Sequence, residues 1–433
     1  MDLKFLLKAL NKPHLVFQDI QPLIKTLSSH SAVEVEAVGN SFSGKPIYLL
    51  SMGQGPTNVF LWTQMHGDEA TATAAIFDLI DQLLNDNVLP DWQERYRLHI
   101  LPMLNPDGAQ RRTRQNAQAI DINRDSIKLQ TPEGRLLKKL VKKLKPAIGF
   151  NLHDQSPYYQ VGTSGNPSTI AFLAPAFDHE KTISAARARA MALIHHMNQA
   201  LQPCIPNSVA RYDDTYSPRS FGDYIASLDV STILIESGAA SGDPNRQIAR
   251  EMNVKAIIEA LKVFPAIETA ESLDAEISDY FNIPENVSET ISSVIIDKLH
   301  FICENSYQAS ISIKQTSRWS NEFYIDAVGD LGVQAGLAYF DASDLSYEPG
   351  MVHEINNYTR ITNESYLDWL RQGVIQFQGE PGLIDNQSDY QILCNQPIPA
   401  LPRALILGQP AYFLMRKAGK IVAAVINGRL VHL

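Results

Sequence analysis

Over roughly the first 230 residues, short apolar runs alternate with segments of helical periodicity, and most of the apolar runs stop at polar residues. Residues 33–37 alternate in polarity, turn through 41–44 and resume as an apolar run at 47–50, which predicts strand, turn, strand. The run 59–62 stops at Met65-His66-Gly67-Asp68-Glu69, and a helical pattern over 70–84 puts Ile76, Leu79, Ile80 and Leu83 on one face. The alternation repeats. Strands are expected at 97–103, with pairing ended by Pro102, at 147–152 ending on His153, and at 231–235 ending on Glu236. Helices are expected at 132–144, 183–201 and 246–263, and short helical pieces within 1–30. Such alternation predicts an α/β layer fold.

The pattern changes near Pro265. Later segments (292–296, 310–313, 391–394, 404–407 and 421–426) read as strands separated by Gly, Pro and Asn turns. Residues 1–267 are therefore expected to form one α/β domain and 268–433 a smaller β-rich domain. Composition narrows the function. Hydrophobic residues make up 45% and charged residues 19%, enough for a real core, and this excludes disorder of the whole chain. With 37 basic and 47 acidic residues the formal charge is −10, which disfavours nucleic acid as a partner. Cys204, Cys303 and Cys394 are too few and scattered for a disulfide framework. No run of about 18 apolar residues predicts a membrane span. The N-terminal apolar stretch is interrupted at Lys8 and lacks a small-residue cleavage site, so the expected location is the cytoplasm.

Chemistry-bearing residues gather just past the apolar strands, where α/β folds place their sites. His66 and Glu69 lie on one tight turn and His153 follows another strand. A His₂Glu set with one open position is the pattern of a catalytic zinc, which lowers the pKa of bound water to about 7. Glu236, at the end of 233–235, is a candidate general base, or else a cap or ion-pair partner. Arg111, Arg112, Arg114 and Arg124 crowd one loop of an acidic chain, which suggests an anionic group to be bound. The plainer readings are a packed core for His99 and Trp62, no metal role for His195 and His196, and a solvated face for the lysines of 138–143.

Five segments, in order, resemble the zinc carboxypeptidase family, the metallocarboxypeptidases of the funnelin type. They are His66-Gly67-Asp68-Glu69, Asn105-Pro106-Asp107-Gly108, Arg114-Gln115-Asn116 leading to Asp121-Ile122-Asn123-Arg124, Asn151-Leu152-His153, and Ile235-Glu236-Ser237. The resemblance implies a mixed eight-stranded sheet between helices and one zinc ion held by His66, Glu69 and His153. It also implies Arg114 polarising the scissile carbonyl, Asn123 and Arg124 gripping a terminal carboxylate, and Glu236 activating water and protonating the leaving amine. A substrate-capping tyrosine is expected about twenty residues before the base, where both Tyr212 and Tyr216 fall, with Tyr216 preferred.

The implied activity is hydrolysis of a C-terminal peptide bond. An alternative substrate is an N-acyl amino acid, as in the aspartoacylase and desuccinylase branch, and a remoter alternative is an inactive carboxylate-binding module. Asp125 departs from the family pattern: it is expected either to pair with Arg124 or to select a cationic group. Asp213, Asp214 and Arg219 are expected to line the specificity pocket or to pair with one another. The β-rich region carries no readable motif, and shielding of the site, homo-oligomerisation and polymer binding are its candidate roles.

Overall fold

A computed structural model describes residues 7–288, 290–316, 320, 322–395 and 405–433. The chain divides into two compact units, 1–288 and 289–433. This division falls later than the expected 267/268 boundary. The last long helix runs through Pro265 to Glu268, and a further helix, Asp274–Asn282, buries Tyr280 in the first unit's core.

The first unit contains β1 (Val33–Asn40), β2 (Pro46–Met52), β3 (Thr57–Trp62), β4 (Tyr96–Leu101), β5 (Ile148–Asp154), β6 (Gln160–Val161), β7 (Ile170–Leu173), β8 (Val209–Arg211), β9 (Ser231–Ser237) and β10 (Asn286–Val287). Its helices are α1 (Phe17–Leu27), α2 (Thr71–Asn85), α3 (Trp92–Arg95), α4 (Pro106–Arg111), α5 (Pro132–Leu144), α6 (Ala185–Leu201), α7 (Phe221–Ala226), α8 (Gln247–Glu268) and α9 (Asp274–Asn282). Eight strands form one sheet in the order β1-β2-β4-β3-β5-β9-β7-β8, and β6 pairs with β10 apart from it. The ladder is parallel from β4 through β3 and β5 to β9, and antiparallel at β1/β2, β2/β4 and β7/β9. The fold is thus a mixed eight-stranded sheet.

Both faces of that sheet are covered, because the central strands are apolar on both sides. Val59 and Leu61 pack into a core with residues of α1, α2, α6, α8 and α9, whereas Phe60 and Trp62 pack into a second core with α5 and α7. Local chemistry starts α5 where the sequence predicts: Thr131 Oγ1 accepts from the Gly134 amide at 3.0 Å, and Pro132 occupies the first turn, where no amide donor is needed. Helix α2 meets α8 through a fully buried pair, Asp78 with Arg250, at 2.6 and 2.7 Å. The same two side chains hold the backbone of Leu7.

The second unit is β-rich. Its largest sheet has eight strands, including Ile291–Phe301, Tyr307–Gln315, Phe323–Gly329, Tyr412–Lys417 and Lys420–Ile426. A single α-helix among its described residues, Asn363–Arg371, packs Tyr366 and Leu370 into a local core. The strand expected at 404–407 is not found: Ala404 lies outside the described residues and 405–407 form no strand. The strand expected at 391–394 is reduced to Leu393–Cys394. Residues 1–6 of the N-terminal stretch also lie outside the described residues. No helix among those described is long and apolar enough to cross a membrane.

Candidate metal and catalytic site

The turn after β3 carries His66 and Glu69, closed by the Glu69 amide donating to the His66 carbonyl at 3.2 Å. Gly67 is required there for close approach rather than for an unusual backbone angle: a Cβ on it would stand 2.0 Å from the Gly108 carbonyl carbon. The left-handed residue of this turn is Gln64, whose amide donates to Leu15 and Gly67 carbonyls and accepts from Thr73. The segment Asn105-Pro106-Asp107-Gly108 acts from the other side. Asn105 caps α4 through the Gly108 amide and donates to the carbonyl of Met65, next to the first histidine.

His153, on β5, completes the cluster. One ligand atom each from His66, Glu69 and His153 lies within 4.8 Å of the others, and all three residues are buried. His66 Nδ1 is 3.1 Å from His153 Nδ1 and 2.8 Å from Glu69 Oε1, and His153 Nδ1 is 2.7 Å from Glu69 Oε2. Donors around a tetrahedral zinc are about 3.3 Å apart, given metal–nitrogen bonds near 2.0 Å, so the set fits a divalent ion. The donor chemistry fits as well. His66 Nε2 faces Asp121 Oδ1 at 3.1 Å, which fixes the ring and turns Nδ1 towards the other two donors, the nitrogen that would ligate an ion.

The two histidines shift in opposite directions. Burial alone would drive the proton off His66, but the charge of Glu69 and the Asp121 contact outweigh it and raise the pKa. Burial dominates at His153 and lowers its pKa, favouring the neutral, ligand-competent ring. Burial would raise the Glu69 pKa, yet the two imidazoles hold it well below the usual carboxylate range. Asp121 is likewise depressed, because its contacts with His66 and Arg114 overcome burial.

Arg114 reaches the same place. Its Nε donates to Asp121 Oδ2 at 3.0 Å, and its Nη1 stands 3.1 Å from His66 Nδ1 and 3.5 Å from Glu69 Oε1. Glu236 is the direct neighbour of His153 in the β5/β9 ladder, and its charge is felt at both Arg114 and Tyr212. Asn123 is buried: its amide donates to Asp121, and its Oδ1 accepts from the Phe221 amide at 2.8 Å. Arg124 is exposed and donates to the Asn123 carbonyl at 2.7 Å.

Three loop aspartates make contacts other than the pairings expected of them. Asp125 is engaged in turn formation: its oxygens accept from the Gln130 amide and from the Thr131 amide and hydroxyl, each at 2.8 Å. It is therefore committed to starting α5 rather than to Arg124 or to a cationic ligand. Asp214 pairs with Arg187 at 2.8 Å and Lys181 at 2.5 Å rather than with Arg219, while Asp213 caps Thr215. As for the tyrosines, the ring of Tyr216 meets His179 edge-on, whereas Tyr212 packs beside Tyr159 and is the one that senses Glu236.

His99 is a core residue held by Ser51 and Asn58, and His195 faces Asp279 at 3.6 Å. Lys138 is less solvated than expected, since it donates to Ser126 and lies over the Tyr224 ring. Sequence reasoning gave no role to Asp121, although it stands two residues before Asn123 in a segment already singled out. It also missed Arg246, whose buried guanidinium donates to the carbonyls of Ser237 at 2.6 Å and Gln155 at 2.9 Å. That residue ties together the strand ends carrying Glu236 and His153, and nothing in its local sequence announces this.

Fold and site together give an α/β unit in which a buried His/Glu/His cluster that could hold a metal ion lies close to an arginine and, in the sheet, next to a strand-end glutamate. Residues 21–170 match the family model described as zinc carboxypeptidase. His66, Glu69, Arg114, Asn123, Arg124 and His153 lie inside the match, and Glu236 lies beyond it. Among curated proteins, an uncharacterized protein of Zymomonas mobilis is 32% identical over 106 residues, covering 24% of this chain and 28% of its own length. A carboxypeptidase of Arabidopsis thaliana is 24% identical over 166 residues, covering 33% of this chain and 34% of that protein. The chain thus spans about a third or less of the length of these relatives. Similar solved structures include a metallo-carboxypeptidase from Burkholderia cenocepacia, at TM-score 0.49 and 16% identity over 59% of this chain and 70% of that one. Another is the carboxypeptidase A from Helicoverpa armigera, at TM-score 0.49 and 16% identity over 61% of this chain and 76% of that one.

Proposed function

We propose that this protein is a zinc-dependent metallocarboxypeptidase that hydrolyses the C-terminal peptide bond of its substrate. The observation that carries the reading is the convergence of His66, Glu69 and His153 donor atoms beside Arg114 and Glu236. In this reading one zinc ion, when bound, supplies a Lewis acid and an acidified water. Glu236 takes the proton of the attacking water and returns it to the leaving amine. Arg114, oriented by Asp121, donates to the oxygen that becomes negative as the carbonyl is attacked. Asn123 and Arg124 hold the terminal carboxylate, and Arg124 is exposed where a ligand can reach it. Either Tyr212 or Tyr216 caps the substrate. The electrostatic link to Glu236 favours Tyr212.

The test pairs metal analysis with a substrate panel. The protein is expected to carry about one zinc per chain and to release C-terminal residues from N-blocked dipeptides, with activity lost on chelation and restored by zinc. Cleavage of N-acyl amino acids alone would overturn the carboxypeptidase reading in favour of a deacylase. Metal binding with no hydrolysis of either class would favour an inactive binding module.

A further inference from the structure

Trp62 on β3 and Asn151 on β5 stand opposite each other in the parallel ladder, and both are buried, at 0% and 1% exposure. Neither Trp62 Nε1 nor Asn151 Nδ2 and Oδ1 has a hydrogen-bond partner among the described residues. Each such orphaned group costs about 1–3 kcal/mol, and interiors rarely keep one without a reason. Here three belong to two residues that are register partners on adjacent central strands.

Their position supplies a reason. Asn151 precedes His153 by two residues, so the two side chains leave β5 on the same face, about 7 Å apart. Gly222, in the first turn of α7, lies against the amide: a Cβ there would stand 3.1 Å from Asn151 Nδ2. The preceding amide, that of Phe221, is the one held by Asn123 Oδ1. The orphaned atoms are thus two residues from a metal ligand on one side and one residue from the Asn123 contact on the other.

We propose that Trp62 and Asn151 determine specificity by receiving the side-chain end of the substrate's C-terminal residue, and that this end is an uncharged carboxamide or hydroxyl. The proposal rests on the carboxypeptidase reading above. Two donor nitrogens, with three N–H bonds between them, and one carbonyl acceptor complement a group that both accepts and donates. A carboxylate satisfies the donors but faces the lone pairs of Asn151 Oδ1. An ammonium group meets two donor nitrogens, and an aliphatic end leaves all three atoms unpaired.

The test compares kcat/KM of the zinc-loaded protein for nearly isosteric pairs, N-benzoylglycyl-asparagine against -leucine and -threonine against -valine. The hydrogen-bonding member is expected to win by at least about tenfold, since a site built around polar groups rejects analogues that leave them unpaired. Asn151→Leu should bring the asparagine-to-leucine ratio within about twofold and leave the melting temperature unchanged or higher, because it removes two orphaned atoms. Trp62→Phe should weaken the preference partially. A wild-type ratio near one, or a ratio that Asn151→Leu does not move, overturns the proposal. So does a marked fall in melting temperature with a flat preference, which would assign these atoms to an internal water. If no peptide is cleaved, the carboxypeptidase reading fails on its own. Calorimetric binding of the same peptides to Glu236→Gln then decides the pocket: tighter binding of the asparagine peptide supports it, and equal binding overturns it.

Discussion

The two units differ most in what they bury. The first buries charged and titratable side chains in number, among them His66, Glu69, Asp78, His153, Arg246 and Arg250. Among the described residues of the second, the buried polar side chains are Ser292, Ser310, Ser312 and Gln376, none of them charged. Burying a charge costs several kcal/mol unless partners compensate, so a unit that keeps many has built networks to hold them. In the first unit those networks converge on strand ends: Asp121 on His66, the Asp154 carboxylate on Thr71 and its backbone amide on Glu69, Arg246 on the carbonyls beyond Glu236 and His153. The second unit has the composition of a β core held mainly by apolar packing, and its ion pairs range from partly buried, as Lys314 with Asp326, to exposed, as Lys417 with Asp344. Chemistry is therefore expected from the first unit, with the second as an accessory domain.

The sharpest attempt to break this contrast is Glu236→Gln. It should lower peptide hydrolysis by about 10²- to 10⁴-fold while zinc content stays the same. A rate within threefold of wild type would remove Glu236 as the base. Next in size is Arg250→Ala, which leaves Asp78 buried without its partner. A loss of about 3–5 kcal/mol is expected in unfolding of the first unit, with amide exchange in the second unaffected. Equal loosening of both units would show that they are not energetically separate. Asp121→Asn should weaken zinc binding by about 10- to 100-fold, read by competition with a chromophoric chelator. Unchanged affinity would mean that Asp121 does not orient His66.

A smaller effect concerns acid. Burial holds the His99 pKa at about 4, against 6.5 for the unperturbed group, so the unfolded chain binds the proton first. Its contribution to stability is complete above pH 6.5 and is lost as pH falls towards 4. His99→Gln should flatten that part of the stability profile, and an unaltered slope would assign the acid sensitivity elsewhere. The smallest change belongs to the second unit: Lys417→Ala should alter stability by less than about 1 kcal/mol. A larger loss would contradict the surface character of that ion pair.

Much of this was legible along the chain where the signal is local. The bounds of α5 follow from Thr131-Pro132-Glu133 and a strict apolar stripe, because capping and periodicity are properties of neighbouring residues. Helix α8 outran its expected end because burial of Phe264 and Ile267 overrides the breaking tendency of Pro265. The later strands were harder, since short runs between turns carry little periodicity, and the one expected at 404–407 has no counterpart in 405–407.

The chain's own order of residues determined which side chains are available for catalysis: a His-x-x-Glu turn, a lone histidine at a strand end, an arginine-rich loop and a glutamate closing another strand. Which of them meet is a matter of sheet order. Only the β3-β5-β9 adjacency puts His66, His153 and Glu236 side by side across more than 160 residues of chain. Tertiary packing alone engages Asp125 in turn formation, brings Arg246 behind the strand ends and leaves Trp62 beside Asn151. Those outcomes depend on contacts between residues far apart in sequence, which no local pattern encodes.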